Sequence, residues 1–165
     1  MPSQALLDAM NEQIKHEFSS AYAYLSLSAW CEAATLPGFG HWLRLQAEEE
    51  VEHAMKFYHF ILDRGGRVRL LPIEGPPVAL ASPVEVFEKA LAGERRVTGQ
   101  IDALYALAVQ EGDFAGQQFL NWFVAEQVEE EKLTTQVLET LRLIGDDKPA
   151  LVMLDRELGR RAADA

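Results

Sequence analysis

Turn signals divide this chain into segments, and their spacing constrains the fold more than any other feature of the sequence. Four long segments carry apolar residues at helical spacing: about 5–33, from TLPGFG to the glycine pair 65–66, from Ser82 to about 110, and about 115–143. The short turns TLPGFG and EGDFAG each join two of these segments. We therefore expect two hairpins of antiparallel helices.

The connection between the two hairpins, residues 66–82, is unusually long for a compact domain. Extended at about 3.3 Å per residue it spans roughly 55 Å, more than the roughly 40 Å of a helix of this size. It can therefore return the chain along the whole length of the bundle. Ser82, Pro83 and Glu85 form a capping-box pattern, which predicts the start of the third helix.

This connectivity predicts an all-α fold, a four-helix bundle over about residues 5–143 with a long crossover between helices two and three. After the turn GDDKP, a short fifth helix is predicted over about 148–160. With 165 residues and 48% hydrophobic content, the chain is expected to form a single domain, 1–165.

Charge narrows the choice of partners. Lysine and arginine number 15 against 26 acids, which gives a net charge of −11 and argues against nucleic acid and anionic membranes. The amino end has no basic segment followed by an apolar run, and no window is long enough to cross a bilayer. We therefore expect a cytoplasmic protein whose charged partners are cations.

The stretch AEEEVEH, residues 47–53, contains both a solvated face and a set of candidate ligands. At about 100° per residue, Glu48 and Glu52 face away from the apolar stripe of the second helix, whereas Glu50 lies in it, with His53 beside it and Glu49 at its margin. The same count places further acids in the apolar stripes of the other helices: Glu17 in the first, Glu94 in the third, and Glu126 and Glu130 in the fourth, among Phe119, Phe123, Leu133 and Val137.

These acids are predicted to lie at one level of the bundle. Glu17, Glu50, Glu94 and Gln127 each fall roughly 17 Å from the start of their helix. Buried carboxylates need compensation, and no lysine or arginine shares the helical stripes at this depth. Bound cations would supply it, and oxygen ligands with one imidazole suit iron, manganese or zinc. Protonated acids are the alternative.

An internal repeat sharpens the metal hypothesis. Glu17 and Glu50 lie 33 positions apart, as do Glu94 and Gln127. Glu50-x-x-His53 in the first half corresponds to Gln127-x-x-Glu130 in the second. Dinuclear carboxylate bundles generally carry Glu-x-x-His in both halves, so this chain is predicted to hold two unequal metal positions.

With this motif set the sequence closely resembles a bacterial non-haem ferritin, from about residue 5 to 160. The resemblance implies a ferritin-like bundle and a ferroxidase that oxidises ferrous iron with dioxygen or hydrogen peroxide and stores the ferric product. It also implies a homo-oligomeric, octahedral cage of 24 subunits, with Leu151, Leu154 and Leu158 of the fifth helix along four-fold channels.

The resemblance also implies roles for individual residues. One ferroxidase iron would be held by Glu17, Glu50 and His53, and the second by Glu50, Glu94 and Glu130, with Gln127 nearby. A third iron site would use Glu49, Glu126, Glu129 and Glu130. Haem-binding relatives carry methionine where this chain has Val51, so no haem is expected.

Two other functions remain open from sequence. One is a discrete di-metal carboxylate oxidase without storage, and the other is a helical interaction module whose core acids merely pair. Tyr24 lies one stripe position beyond Glu17, where it could support a ligand or serve as a core tyrosine. Trp122 beside the acids of the fourth helix is interpreted as packing.

Overall fold

The computed structural model describes residues 1–77 and 79–163, so Val78 of the crossover and residues 164–165 of the predicted domain lie outside the described residues. The described chain is all-helical, with five helices and no strand: α1 Gln4–Ala33, α2 Pro37–Asp63, α3 Pro83–Gln110, α4 Phe114–Ile144 and α5 Lys148–Leu158. None of its helices is both long enough and apolar enough to span a membrane.

The helices pair as their connections predict. Helix α1 packs on α2 and α3 packs on α4, and the two hairpins meet where α1 contacts α3 and where side chains of α2 contact those of α4. The crossover is fastened to α1 by Asn11, whose Nδ2 donates to the carbonyl of Arg67 (3.1 Å) and whose Oδ1 accepts from the amide of Arg69 (2.6 Å). The predicted all-α bundle with a long crossover is confirmed.

Helix α3 begins at the predicted cap with one difference. The Ser82 hydroxyl accepts from the amide of Glu85 at 3.2 Å, and Pro83 occupies the first turn. The Glu85 carboxylate reaches back to the amide of Ala81 at 2.7 Å, one residue before the amide used in a standard capping box. Both contacts fix the point at which the crossover ends.

The core consists of two apolar clusters separated by a polar layer. One cluster holds the start of α2 with the ends of α1 and α4, and the other holds the start of α1 with the end of α2. Between them, each long helix contributes buried polar side chains: Glu17 from α1, Gln46, Glu50 and His53 from α2, Glu94 from α3, and Gln127 and Glu130 from α4. The prediction of acids at one level is confirmed.

One member of the predicted α4 stripe is misplaced. Leu133 is 39% exposed, whereas Thr134, four residues after Glu130, is fully buried. At 3.6 residues per turn, this stripe continues from Glu130 at the i+4 position. Leu133 therefore lies outside the core that the sequence pattern assigned to it.

Helix α5 packs back onto α2 and α4. Leu154 and Leu158 are buried in the core cluster, so the side chains expected along a channel instead stabilise the subunit, while Val152 and Met153 face outward. Leu151 is partly buried and packs against the same cluster.

Helix α5 also completes the first turn of α2. The N-cap residue of α2, Leu36, provides no side-chain cap, and Asp155 of α5 accepts from the amide of Phe39 at 3.0 Å. The close approach requires glycine at position 38, because a Cβ there would lie 1.6 Å from the carbonyl oxygen of Asp155. The amino end of α2 is thus capped by a residue more than a hundred positions away.

Candidate metal centre

Glu17, Glu50 and His53 meet between α1 and α2, as the sequence predicts. His53 Nδ1 lies 3.5 Å from Glu50 Oε2 and 4.0 Å from Glu17 Oε2, and all three side chains are buried. One ligand atom from each lies within 4.8 Å of the others. Glu50 and His53 converge because residues three apart are neighbours on a helix surface.

The inward atoms of this group have no conventional hydrogen-bond partner. Glu17 Oε2, Glu50 Oε2 and His53 Nδ1 are all buried and unsatisfied. Buried polar atoms are almost always paired, so three unpartnered ligand atoms at one point need an explanation. Two carboxylates and one imidazole suit iron, manganese or zinc, and a cation between them would satisfy all three atoms.

A second candidate group faces the first from α4. Glu126, Glu130 and His53 also bring one ligand atom each within 4.8 Å. Glu130 is buried and accepts from Gln46 Nε2 at 2.6 Å, whereas Glu126 is half-buried and Glu129 is exposed. The predicted third-site residues therefore run from the polar layer toward the surface.

Glu94 is held by hydrogen bonds on both carboxylate oxygens. The Tyr24 hydroxyl donates to Oε1 at 2.5 Å, and Gln127 Nε2 donates to Oε2 at 3.1 Å. Gln127 Nε2 also contacts the Glu94 carbonyl at 3.1 Å, so this amide acts as a donor that orients Glu94. Tyr24 occupies the supporting position that the sequence left open.

Burial is the main reason that all four central acids have raised pKa values. It raises the pKa of Glu17 and of Glu50 well above the ordinary value, with added repulsion from Glu50 and from Glu94 respectively. Burial likewise raises the pKa of Glu94, although the hydrogen bond from Tyr24 opposes it. The pKa of Glu130 rises to about 7 through burial and the charge of Glu94. The protein therefore binds protons where a cation could replace them.

Two supporting glutamines were not singled out from sequence. Gln13 Nε2 donates to Glu17 Oε1 at 2.9 Å, and Gln46 contacts Glu130. Each stands four residues before a stripe glutamate, Gln13 before Glu17 and Gln46 before Glu50, so this repeated Gln-x-x-x-Glu spacing was an available signal.

The expected lack of a lysine or arginine within the four stripes is confirmed for the described residues, and one cation reaches the polar layer from outside them. No basic residue of the four stripes lies at the centre, but Arg161, beyond α5, donates to Glu49 Oε1 at 2.8 Å and to Gln46 Oε1 at 2.6 Å. The sequence pattern could not place it, because the contact joins residues 112 positions apart. Glu49 is thus half-buried in an ion pair.

Trp122 contributes more than packing. Its ring meets the His53 ring edge to face at 5.4 Å, and Lys56 Nζ lies 4.5 Å from its centroid. Trp122 is 42% exposed and His53 is buried, so the indole lies between the imidazole and solvent on one side. This contact restrains the orientation of the imidazole.

Known proteins similar to this chain are ferritins. The family description "Ferritin-like domain" matches residues 7–144. The bacterial non-heme ferritin of Staphylococcus aureus (strain USA300) is 38% identical over 164 residues, covering 99% of each chain. That of Staphylococcus saprophyticus is 40% identical, covering 99% of this chain and 98% of the relative.

Solved structures agree with these relatives. An open pore ferritin from the hyperthermophilic archaeon Archaeoglobus fulgidus has a TM-score of 0.97 and 46% identity, covering 98% of this chain and 100% of that one. A closed form of the Archaeoglobus fulgidus ferritin, engineered by mutagenesis, has a TM-score of 0.98 and 45% identity, covering 99% and 100%. Similarity over nearly the full length and a layer of buried acids contributed by four helices identify this chain as a member of the ferritin family.

Proposed function

We propose that this protein oxidises ferrous iron at the buried centre of its bundle and stores the ferric product inside a cage of its own copies. Membership of the ferritin family supports iron storage. The observation that carries the ferroxidase assignment is the meeting of three buried, unpartnered ligand atoms from Glu17, Glu50 and His53.

The proposed ligands divide among three positions. Glu17, Glu50 and His53 bind the first ferrous ion, which receives the imidazole. Glu50, Glu94 and Glu130 bind the second, and Gln127 and Tyr24 orient Glu94. A third iron position shares Glu130 with the second position. Its ligands are Glu49, Glu126, Glu129 and Glu130.

The proposed reaction transfers two electrons to one oxidant. Each of two ferrous ions gives one electron, and dioxygen takes both together with two protons to leave as hydrogen peroxide. Hydrogen peroxide as oxidant would accept two electrons and two protons and leave as two molecules of water. Raised pKa values at Glu17, Glu50 and Glu130 mean that these acids release protons as iron binds, so the two protons that the oxidant takes up come from solvent.

Storage requires assembly. We propose an octahedral homo-oligomer of 24 subunits in the cytoplasm, with the net charge of −11 attracting ferrous ions toward it. A discrete di-metal oxidase would share the centre without the cage. Native mass and bound iron, measured on one purified sample, separate the two functions.

The ferroxidase assignment is tested by Glu50→Gln, with Glu52→Gln as a matched control. Both residues lie on α2, but Glu50 is buried and Glu52 is exposed. The metal-free proteins are titrated with ferrous iron without oxygen and then mixed with dioxygen. We expect Glu50→Gln to abolish tight iron binding and rapid oxidation, because it removes a ligand shared by two positions, while Glu52→Gln behaves as the parent. Equal oxidation rates in the two variants would refute the assignment.

A further inference from the structure

The guanidinium of Arg161 contacts the edge of the candidate centre from beyond α5. Nη1 donates to Gln46 Oε1 at 2.6 Å and Nη2 donates to Glu49 Oε1 at 2.8 Å. Its Cζ lies 4.8 Å from the centroid of the Trp42 ring. Only 18% of the Arg161 side chain and 14% of the Glu49 side chain are exposed. This is a half-buried ion pair, with geometry that a freely moving surface charge would not keep.

The backbone of the same residue is also fastened. His41 Nε2 lies 2.7 Å from the Arg161 carbonyl oxygen. A carbonyl can only accept, so His41 carries its proton on Nε2 and leaves Nδ1 to accept from Arg44 at 3.4 Å. Arg161 is therefore held on α2 by both its main chain and its side chain.

The contact continues into the polar layer through Gln46. This glutamine is fully buried, and its Nε2 donates to Glu130 Oε2 at 2.6 Å. A guanidinium has donors only, so Arg161 must meet the amide oxygen of Gln46, which turns the amide nitrogen toward Glu130. Arg161 thus sets the direction of the amide that contacts the acid of α4.

We propose that Arg161 is a positioning residue that competes with metal cations for Glu49 and orients Gln46 toward Glu130. The inference rests on the proposed function, in which Glu49 and Glu130 belong to the third iron position. A metal ion that binds Glu49 Oε1 displaces the guanidinium of Arg161 from that oxygen, because two cations so close together repel each other strongly. By reciprocity, docking of Arg161 weakens metal binding at Glu49 by the same factor by which metal weakens docking.

Competition from Arg161 weakens metal binding at the third iron position and leaves the first iron position unaffected. Among the described residues, the contacts of Arg161 are with His41, Trp42, Gln46 and Glu49 and not with Glu17, Glu50 or His53, so we expect the first position to keep its affinity. Weak binding at the third position would let iron leave it readily. Arg161 then acts as an internal cation that pairs with Glu49 whenever no metal is bound there.

The test uses zinc as a redox-inert probe and Arg161→Ala, Arg161→Lys and Arg160→Ala as variants. Arg160 is the matched control, because it is the adjacent arginine and is exposed. Zinc titration of the metal-free assembled protein by calorimetry should show the weakest class of sites tightened about tenfold in Arg161→Ala, a typical coupling between sites, and unchanged in Arg160→Ala. Arg161→Lys should fall between them, since an ammonium lacks the fork that reaches both acceptors.

A second measurement does not depend on a variant that folds. Amide hydrogen exchange over residues 159–163 of the parent protein should accelerate when the weak zinc sites fill, and it should stay unchanged when only the tight sites are filled. Weak-site affinities that are equal in Arg161→Ala and Arg160→Ala, or exchange that zinc never changes, would overturn the role of Arg161 while leaving the ferroxidase centre intact. Absence of any tight zinc site in the parent would overturn both proposals.

Discussion

Replacing Glu130 with glutamine should stabilise the metal-free protein, and by much more at pH 8 than at pH 5. Glu130 is 2% exposed, and its pKa of about 7 results from burial and from the charge of Glu94. Glutamine has nearly the same shape, and its Oε1 can still accept from Gln46 Nε2. The substitution therefore removes a buried charge while keeping the hydrogen bond.

The magnitude follows from the difference between the ordinary pKa of 4.5 and the raised value of about 7. Between these values the folded protein binds more protons at this site than the unfolded chain, so the free energy of unfolding falls as pH rises. The cost of ionisation is absent well below pH 4.5 and complete above pH 7. It amounts to about 3 kcal/mol at pH 8 and about 1 kcal/mol at pH 5.

Differential scanning calorimetry in the presence of a chelator measures this difference. At about 2–4 °C per kcal/mol for a chain of this size, Tm should rise by about 6–12 °C at pH 8 and by about 2–4 °C at pH 5. Glu129→Gln is the matched control, since that residue is exposed on the same helix and should change Tm little at either pH. An equal rise at both pH values, or a fall in Tm at pH 8, would show that Glu130 does not carry a buried charge.

Three further outcomes are expected. His53→Ala should weaken the tightest zinc site by more than about tenfold in calorimetric titration, because loss of a ligand costs at least as much as loss of its supporting partner; unchanged affinity would remove His53 from the centre. Zinc uptake at pH 6–7 should release protons, seen as a dependence of the measured enthalpy on the buffer, because burial raises the pKa values of Glu17 and Glu50; no buffer dependence would contradict this. Asp155→Ala should lower the free energy of unfolding by about 1 kcal/mol, and Gly38→Ala should lower it by the same amount or more, since each disturbs the packing of α5 on α2. Thermal unfolding at the parent's Tm in both variants would argue that this contact contributes nothing to stability.

Much of the fold could be predicted because its signals are local. The capping residues at Ser82 and Pro83, the glycine pair 65–66 and the two short turns each act within a few residues. The fifth helix was expected to reach 160 and ends at Leu158. Leu133 was misassigned because it lies three residues after Glu130, at the margin of the stripe, where burial depends on the neighbouring helix.

The candidate centre was predictable where polar side chains interrupt an apolar stripe. Glu17, Glu50, Glu94 and Glu130 stand out for this reason, and periodicity also put His53 beside Glu50. The supporting contacts were harder to predict, because they depend on tertiary packing. The hydrogen bond from Tyr24 to Glu94 joins positions 70 apart, and Arg161 reaches Glu49 only because α5 packs on α2. Helical periodicity carries no information about either distance.

The cap that Asp155 provides for α2 has a consequence for biosynthesis. A ribosome releases the start of α2 long before it releases α5, so until then the amide of Phe39 can donate only to water. That turn is completed only when almost the whole chain has been made. Closure of this end of the bundle therefore has to wait for α5, and a chain that lacks α5 would leave the first turn of α2 open to solvent.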